Sequence, residues 1–250
     1  MATQVMGAIT VGKWWYEQDG IKRPRLTDVL SIIKEPELEK WKKKMGEEGE
    51  AIGENARNRG TLLHKLIAKA FEEGQALRYP PASSNQDVKL AWKAFVEYLP
   101  TRGWKKCAEC EIEKPVINDS YGFCCTPDLA CGRDRRVVEW KVAGRIKPSY
   151  WIQLHGQALA RFADPEGVKL VVVRLDPKIG EYEKKEMVYD RRIGDRVPDM
   201  VRVYRAWYWE PMLKEMENER IEASVADGSS GTVEGLDIAE GASDRAGGNG

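Results

Sequence analysis

Two apolar runs that each meet charge do most to limit what this chain can fold into. Gly122 to Ala130 holds Phe123, Cys124, Cys125 and Leu129, and carries Asp128 near its end. Farther on, Val137 and Val138 lead into Glu139, Trp140 and Lys141. In a strand, residues i and i+2 point to the same face. Glu139 and Lys141 then project together, with Val138 and Trp140 on the opposite face. If the two runs pair as a hairpin, Asp128 reaches the same spot. A carboxylate and an ammonium on a strand covered by protein are costly unless paired or metal-bound. Two carboxylates can hold a hard divalent cation through oxygen. A nearby ammonium can orient a water or stabilise charge building on a phosphate. The residues therefore suffice for metal-assisted phosphodiester hydrolysis.

The rest of the chain frames this pair. Residues 1–25 read as an irregular N-terminal segment containing Trp14, Trp15 and Tyr16. Leu26 to Ile33 has helical apolar spacing after a Thr27 or Asp28 cap, and Pro36 suits the first turn of a helix running to about Gly46. A polar, charged stretch leads to Gly60. Thr61 to Glu73 then predicts an amphipathic helix with Leu62, Leu63, Leu66, Ile67, Ala70 and Phe71 on one stripe and His64 at its border. A loop with Pro and Ser spans 75–86, and a second helix runs from Gln86 to Tyr98.

Beyond it the period changes. Cys107 to Ile117, Gly122 to Ala130 and Arg136 to Val142 read as three successive strands joined by turn chemistry. Pro148 opens another helix bearing Gln153 and Gln157. Val168 to Leu175 and Glu181 to Tyr189 read as strands, and Asp195 to about Arg220 as a last helix. Residues 222–250 turn to Gly, Ser, Ala and Asp, the composition of a disordered tail. The predicted organisation is one domain over 26–221 between those two ends.

Formal charge is zero overall, but 222–250 holds six acidic residues and one arginine, which leaves the remainder mildly basic. That permits nucleic-acid binding without demanding it. No apolar run approaches the ~18 residues of a membrane span. With no secretory pattern at the N-terminus, the expectation is a cytoplasmic protein, in the host cytoplasm if phage-encoded. Five cysteines are an odd number, unlike a disulfide framework. Cys107 and Cys110 have C-x-x-C spacing, but no second such pair follows, and the adjacent Cys124 and Cys125 must face opposite ways. Buried thiols are the favoured reading over a cysteine-metal module.

The order helix, three strands, helix, strand, with acids on the second and third strands and a Gln on the next helix, resembles the PD-(D/E)xK nuclease superfamily. Within it the chain looks like the RecB-like and phage-type exonucleases. Gly60 and His64 resemble its G-x-x-x-H on the first core helix. Gly122 to Asp128 resembles its glycine-to-aspartate strand, Glu139 to Lys141 its (D/E)-x-K, and Gln153 to Gln157 its Q-x-x-x-Y, with Gln157 standing in for Tyr. Residues 26–41 also resemble the N-terminal segment of phage members.

The resemblance implies an α/β, restriction-endonuclease-like core, a central mixed β-sheet flanked by α-helices. It implies Mg2+ or Mn2+ held by His64, Asp128, Glu139 and the Trp140 carbonyl. Lys141 would activate the attacking water, and Gln153 would hold Lys141 or the phosphate. Glu113 matches an acidic position on the first strand. The implied activity is DNA hydrolysis, most often exonucleolytic, in phage-type recombination, repair or replication, with a single-strand annealing protein as a possible partner in some members. A structure-selective endonuclease and an inactive DNA-binding member remain as alternatives. Arg133, Arg135, Arg136, Arg145 and Lys147 are candidates for phosphate contacts. The run Lys40 to Lys44 reads as a solvated helix face, and Tyr204 to Trp209 as core or subunit contact.

Overall fold

The computed structural model describes residues 8–73, 85–99 and 109–226. The loop over 75–84, Cys107 and the tail beyond Ala226 lie outside them.

The segment read as irregular instead forms a meander of β1 (Thr10–Val11), β2 (Trp15–Gln18) and β3 (Ile21–Pro24). Asp19 and Gly20, both at positive φ, make the two-residue turn between β2 and β3. Such Asp-Gly turns match the twist of paired strands. Within β2, Tyr16 and Gln18 face inward. The next predicted helix is split into α1 (Leu26–Val29) and a 3-10 turn over Leu30–Ile32. Its cap position is Arg25, with no side-chain cap bond.

Helix α2 spans Pro36–Glu73 with one non-helical residue, Gly46 at φ 55, where glycine has no Cβ to clash. The polar stretch before Gly60 is thus helical as well. It carries helix-favouring Glu, Ala and Arg, and needs no apolar stripe because it lies largely exposed. The part after Gly60 buries Leu63 and Ile67. Helix α3 (Gln86–Tyr98) has the predicted bounds, with the Asn85 side chain accepting from the amides of Asp87 and Val88.

The first two predicted strands are each broken in two. β4 (Cys110–Ile112) and β5 (Val116–Asn118) come from the first, β6 (Phe123–Cys125) and β7 (Leu129–Cys131) from the second. The breaks fall at Glu113, whose φ is 48, and at Pro127, which has no amide to donate to a ladder. β5 and β6 pair as a two-stranded ribbon. The main sheet has the order β10-β9-β8-β7-β4 once β8 (Arg136–Val142), β9 (Lys169–Leu175) and β10 (Tyr182–Val188) are added. It is mixed: β8 and β9 are parallel, joined across α4 (Pro148–Arg161), while the other neighbours are antiparallel.

Helices cover both faces. Val138 and Trp140 of β8 pack into one core with Leu63 and Ile67 of α2 and Trp92, Phe95 and Tyr98 of α3. Val137 packs on the other side with Leu154 and Ala158 of α4. Strand alternation along β8 therefore turns Glu139 and Lys141 toward α4, as the sequence predicts. A third apolar cluster joins α1, β6 and α6 (Arg196–Tyr204). The architecture is α/β, a mixed β-sheet flanked by α-helices.

A short α5 (Arg191–Gly194) precedes α6, and a π-helical stretch, Arg205–Trp209, follows it. In that stretch Trp209 is buried, whereas Trp207 is 76% exposed. The predicted core assignment therefore holds for only part of the segment. α7 (Glu210–Ala226) forms a separate unit. Among the described residues no helix is long and apolar enough to cross a membrane.

Candidate functional site

The two strand breaks lie side by side, and the site is built on them. The β4–β7 ladder ends at Ile112 opposite Leu129, and the Glu113 amide then donates to the Asp128 carbonyl at 3.2 Å. Leaving the ladder together brings both carboxylates toward α2, where His64 follows the core-anchored Leu63. His64 Nδ1 lies 3.1 Å from Asp128 Oδ1 and 3.3 Å from Glu113 Oε1. One ligand atom from each of the three residues falls within 4.8 Å of the others.

Asp128 is 4% exposed. Its Oδ2 accepts the Trp140 amide proton at 2.6 Å, just beyond the last β7–β8 pair, Leu129 with Val138. Burial first, and then the Glu139 carboxylate, push the Asp128 carboxyl up to about 6, against the pull of His64. For His64, burial pulls downward, but Asp128, Glu113 and Glu139 outweigh it and hold the imidazolium well above the ordinary histidine value.

Glu139 adjoins this cluster but is taken up by other partners. Its Oε1 accepts from Lys141 Nζ at 2.6 Å and from Gln153 Nε2 at 2.8 Å. Its Oε2 accepts from Gln157 Nε2 at 2.8 Å. Lys141 Nζ also donates to Gln153 Oε1 at 3.1 Å and sits 5.0 Å from the Tyr150 ring centre. Burial alone would lower the Lys141 pKa, but Glu139 and Asp128 outweigh it and the ammonium lies above the usual lysine value.

The predicted residues are thus brought together in a different grouping. His64 and Asp128 join Glu113 rather than Glu139, because a buried carboxylate two residues from a lysine on the same strand face pairs with it. Gln153 bridges Lys141 and Glu139. Gln157 is the residue the sequence reading undervalued. It is 1% exposed and braces Glu139 from one helical turn beyond Gln153. Their i, i+4 spacing on α4 was the available signal.

The arginines divide in two. Arg133, Arg135 and Arg136 sit on the β7–β8 turn, at the end of those strands away from Asp128 and Glu139. Arg133 and Arg136 pair with Asp134, and Arg135 donates to the carbonyls of Asp164 and Glu166. A hairpin turn and the opposite strand ends cannot face one phosphate, so these three are not brought to the site. Arg145 and Lys147, on the loop into α4, lie on the site's side. They pair with Glu37 at 3.0 Å and Glu35 at 2.7 Å. Glu35, the partner of Lys147, lines a cleft of about 440 Å3 together with Lys34, Leu38, Ser149, Tyr150 and Gln153.

The donor set fits a hard divalent cation. One imidazole nitrogen and two carboxylates are the ligand types such ions accept. Burial first, and then the Glu139 carboxylate, raise the Asp128 carboxyl, and a bound positive charge would offset both. His155 and the two cysteines of β6 stand outside this donor set. His155 is fully buried, with Nδ1 donating to the Trp151 carbonyl at 2.6 Å and Nε2 accepting the Asp190 amide proton. Cys124 and Cys125 are buried in β6.

No protein-family model matches the chain, and no curated protein matches its sequence. Solved structures similar to it include an alkaline exonuclease from Laribacter hongkongensis, with 18% identity over 54% of this chain and 70% of that one, at a TM-score of 0.37. The same exonuclease in complex with dAMP aligns over 82% of this chain and 92% of that one, with 17% identity and a TM-score of 0.41. A phage-related exonuclease from Haemophilus somnus 129PT aligns over 77% and 95%, with 15% identity and a TM-score of 0.41.

Proposed function

We propose that this chain is a divalent-metal-dependent DNA nuclease of the PD-(D/E)xK type, acting as an exonuclease. The observation that carries the reading is the junction of two groups: His64, Glu113 and Asp128, and beside them Glu139, Lys141 and Gln153. The choice of DNA, and of attack from an end, rests on the sequence resemblance.

His64, Glu113 and Asp128 would hold Mg2+ or Mn2+, and Glu139 and the Trp140 carbonyl are the further ligands that the resemblance implies. Held by these residues, a divalent cation would supply Lewis acidity toward phosphate and water. Lys141 stays charged at neutral pH, so it acts as a donor rather than a base. It orients the attacking water and offsets charge on the phosphate as the transition state forms. Gln153 fixes the ammonium through its Oε1, and Gln157 fixes the Glu139 carboxylate through its Nε2. The cleft beside Gln153 would give a polynucleotide strand access, and its phosphates would compete with Glu35, on the cleft wall, for Lys147.

End-labelled linear duplex DNA incubated with Mg2+ tests the reading. Progressive loss from an end is expected, abolished by EDTA, Asp128→Ala and Lys141→Ala. Activity that survives both substitutions overturns the site. Rapid cutting of closed circular DNA overturns the exonuclease assignment and favours an endonuclease on the same site.

A further inference from the structure

We infer that Cys110 and Cys131 are a modification site, a dithiol that a low-molecular-weight disulfide oxidises to a cross-strand disulfide. The two residues are directly opposed in the β4–β7 register. No disulfide joins them, and their Sγ atoms stand 3.0 Å apart. Closing to a disulfide bond asks for about 1 Å of further approach. The ladder holds them on both sides: the Gly132 amide donates to the Glu109 carbonyl beyond the pair, and Glu111 and Ile112 pair with Ala130 and Leu129 before it.

Access sets the order of events. Cys110 is half-buried and Cys131 is 1% exposed. The Cys110 thiolate attacks one sulfur of the small disulfide, forming a mixed disulfide and expelling one small thiolate. The Cys131 thiolate then attacks the Cys110 sulfur, forms the protein disulfide and expels the second small thiolate. Two protein thiols lose two electrons and two protons, and the small disulfide is reduced to two thiols.

The other described cysteines do not compete. Cys124 and Cys125 are neighbours in β6 and face opposite ways. Cys124 Sγ donates to the Arg23 and Pro24 carbonyls, both at 3.3 Å. Burial pushes its thiol up to about 12 and raises Cys125 well above the usual range. The Cys110–Cys131 rung lies three residues from Glu113 and three from Asp128. Oxidation therefore ties together the two strands whose ends carry the carboxylates at His64, a consequence that rests on the nuclease reading. The bond itself does not.

The test is to incubate the full chain with oxidised glutathione, alkylate it with N-ethylmaleimide and map the cross-link by mass spectrometry. A combined chymotryptic and glutamyl-specific digest separates Cys107 from Cys110 at Glu109, and Cys125 from Cys131 at Leu129. A Cys110–Cys131 bond is expected, reversed by dithiothreitol and absent in Cys110→Ser. Because the bond closes a loop of about 20 residues, the oxidised chain should melt about 5–10 °C higher. Both thiols remaining alkylatable, glutathione left on Cys110, or a bond mapped to any other pair overturns the proposal. The mapping uses the wild-type chain and needs no nuclease activity, so it fails or succeeds separately from the functional reading.

Discussion

A cation that binds His64, Glu113 and Asp128 must displace protons, and the free protein sets how many. His64 Nδ1 faces both Asp128 Oδ1 and Glu113 Oε1, so a protonated imidazole there is the positive charge that holds both carboxylates. Because the carboxylates hold that group well above 6.5, His64 is charged at pH 6.5. Asp128, raised to about 6, is about one-quarter protonated there. Metal ligation requires a neutral imidazole and an ionised carboxylate. Mn2+ binding at pH 6.5 should therefore release about one proton per ion from His64 and a further fraction from Asp128. The sign follows: affinity falls as pH drops, by about tenfold per unit near pH 6.5, and more steeply below the Asp128 value as a second proton must leave. Isothermal titration of Mn2+ into the full chain, in two buffers of different ionisation enthalpy, gives the count directly. In His64→Ala it should fall, with Asp128, no longer drawn down by the imidazolium, carrying part of the proton instead. A count near zero at pH 6.5, or one that the substitution leaves unchanged, refutes both the charged His64 and its place among the ligands.

Three further substitutions probe the parts separately. Lys141→Met leaves the buried Glu139 carboxylate with amide donors alone. It should cost about 3 kcal/mol in urea denaturation and lower DNA hydrolysis at least ~100-fold; unchanged stability would mean that Glu139 is not held by the ammonium. Gln157→Leu removes the donor to Glu139 Oε2 and should cost about 1–2 kcal/mol by the same measurement, whereas a neutral result would make Gln157 a bystander. Trp140→Ala empties the space beside Phe95 and Tyr98, whose ring centres lie 5.4 and 5.9 Å from the indole. It should cost about 3–5 kcal/mol, and a loss below ~1 kcal/mol would contradict the packing of that face.

Where a local rule acts alone, the sequence is readable. The alternation from Val137 to Lys141 sets which face of β8 meets α4, and no other contact reverses it. The helix expected from Gln86 to Tyr98 matches α3 to the residue. Residues 47–60 mislead because periodicity reports burial, not helicity. An exposed helix made of Glu, Ala and Arg has no stripe to display. The Asp19–Gly20 turn was a plain local signal, outweighed by the aromatic cluster beside it. Cys110 and Cys131 could not be paired from spacing, since their opposition depends on the β4–β7 register.

The site itself was half legible for a related reason. Strand period places Glu139 with Lys141, and helical period places Gln153 with Gln157, because each pair sits inside one regular element. Glu113 and Asp128 belong together only because two strands break at matching points. Period-2 reasoning fails at a residue with φ 48 and at one following Pro127, since neither continues its strand's alternation. Continuous strands would have kept the Glu113 amide and the Asp128 carbonyl as one more rung, with both side chains bound to the sheet's faces. The break turns the carboxylates to His64 while the rung survives at 3.2 Å. Pro115 and Pro127, both inside runs that otherwise read as strands, were the sign that such breaks were present. What they could not show is that the breaks fall opposite each other, which the Leu129–Ile112 pairing decides.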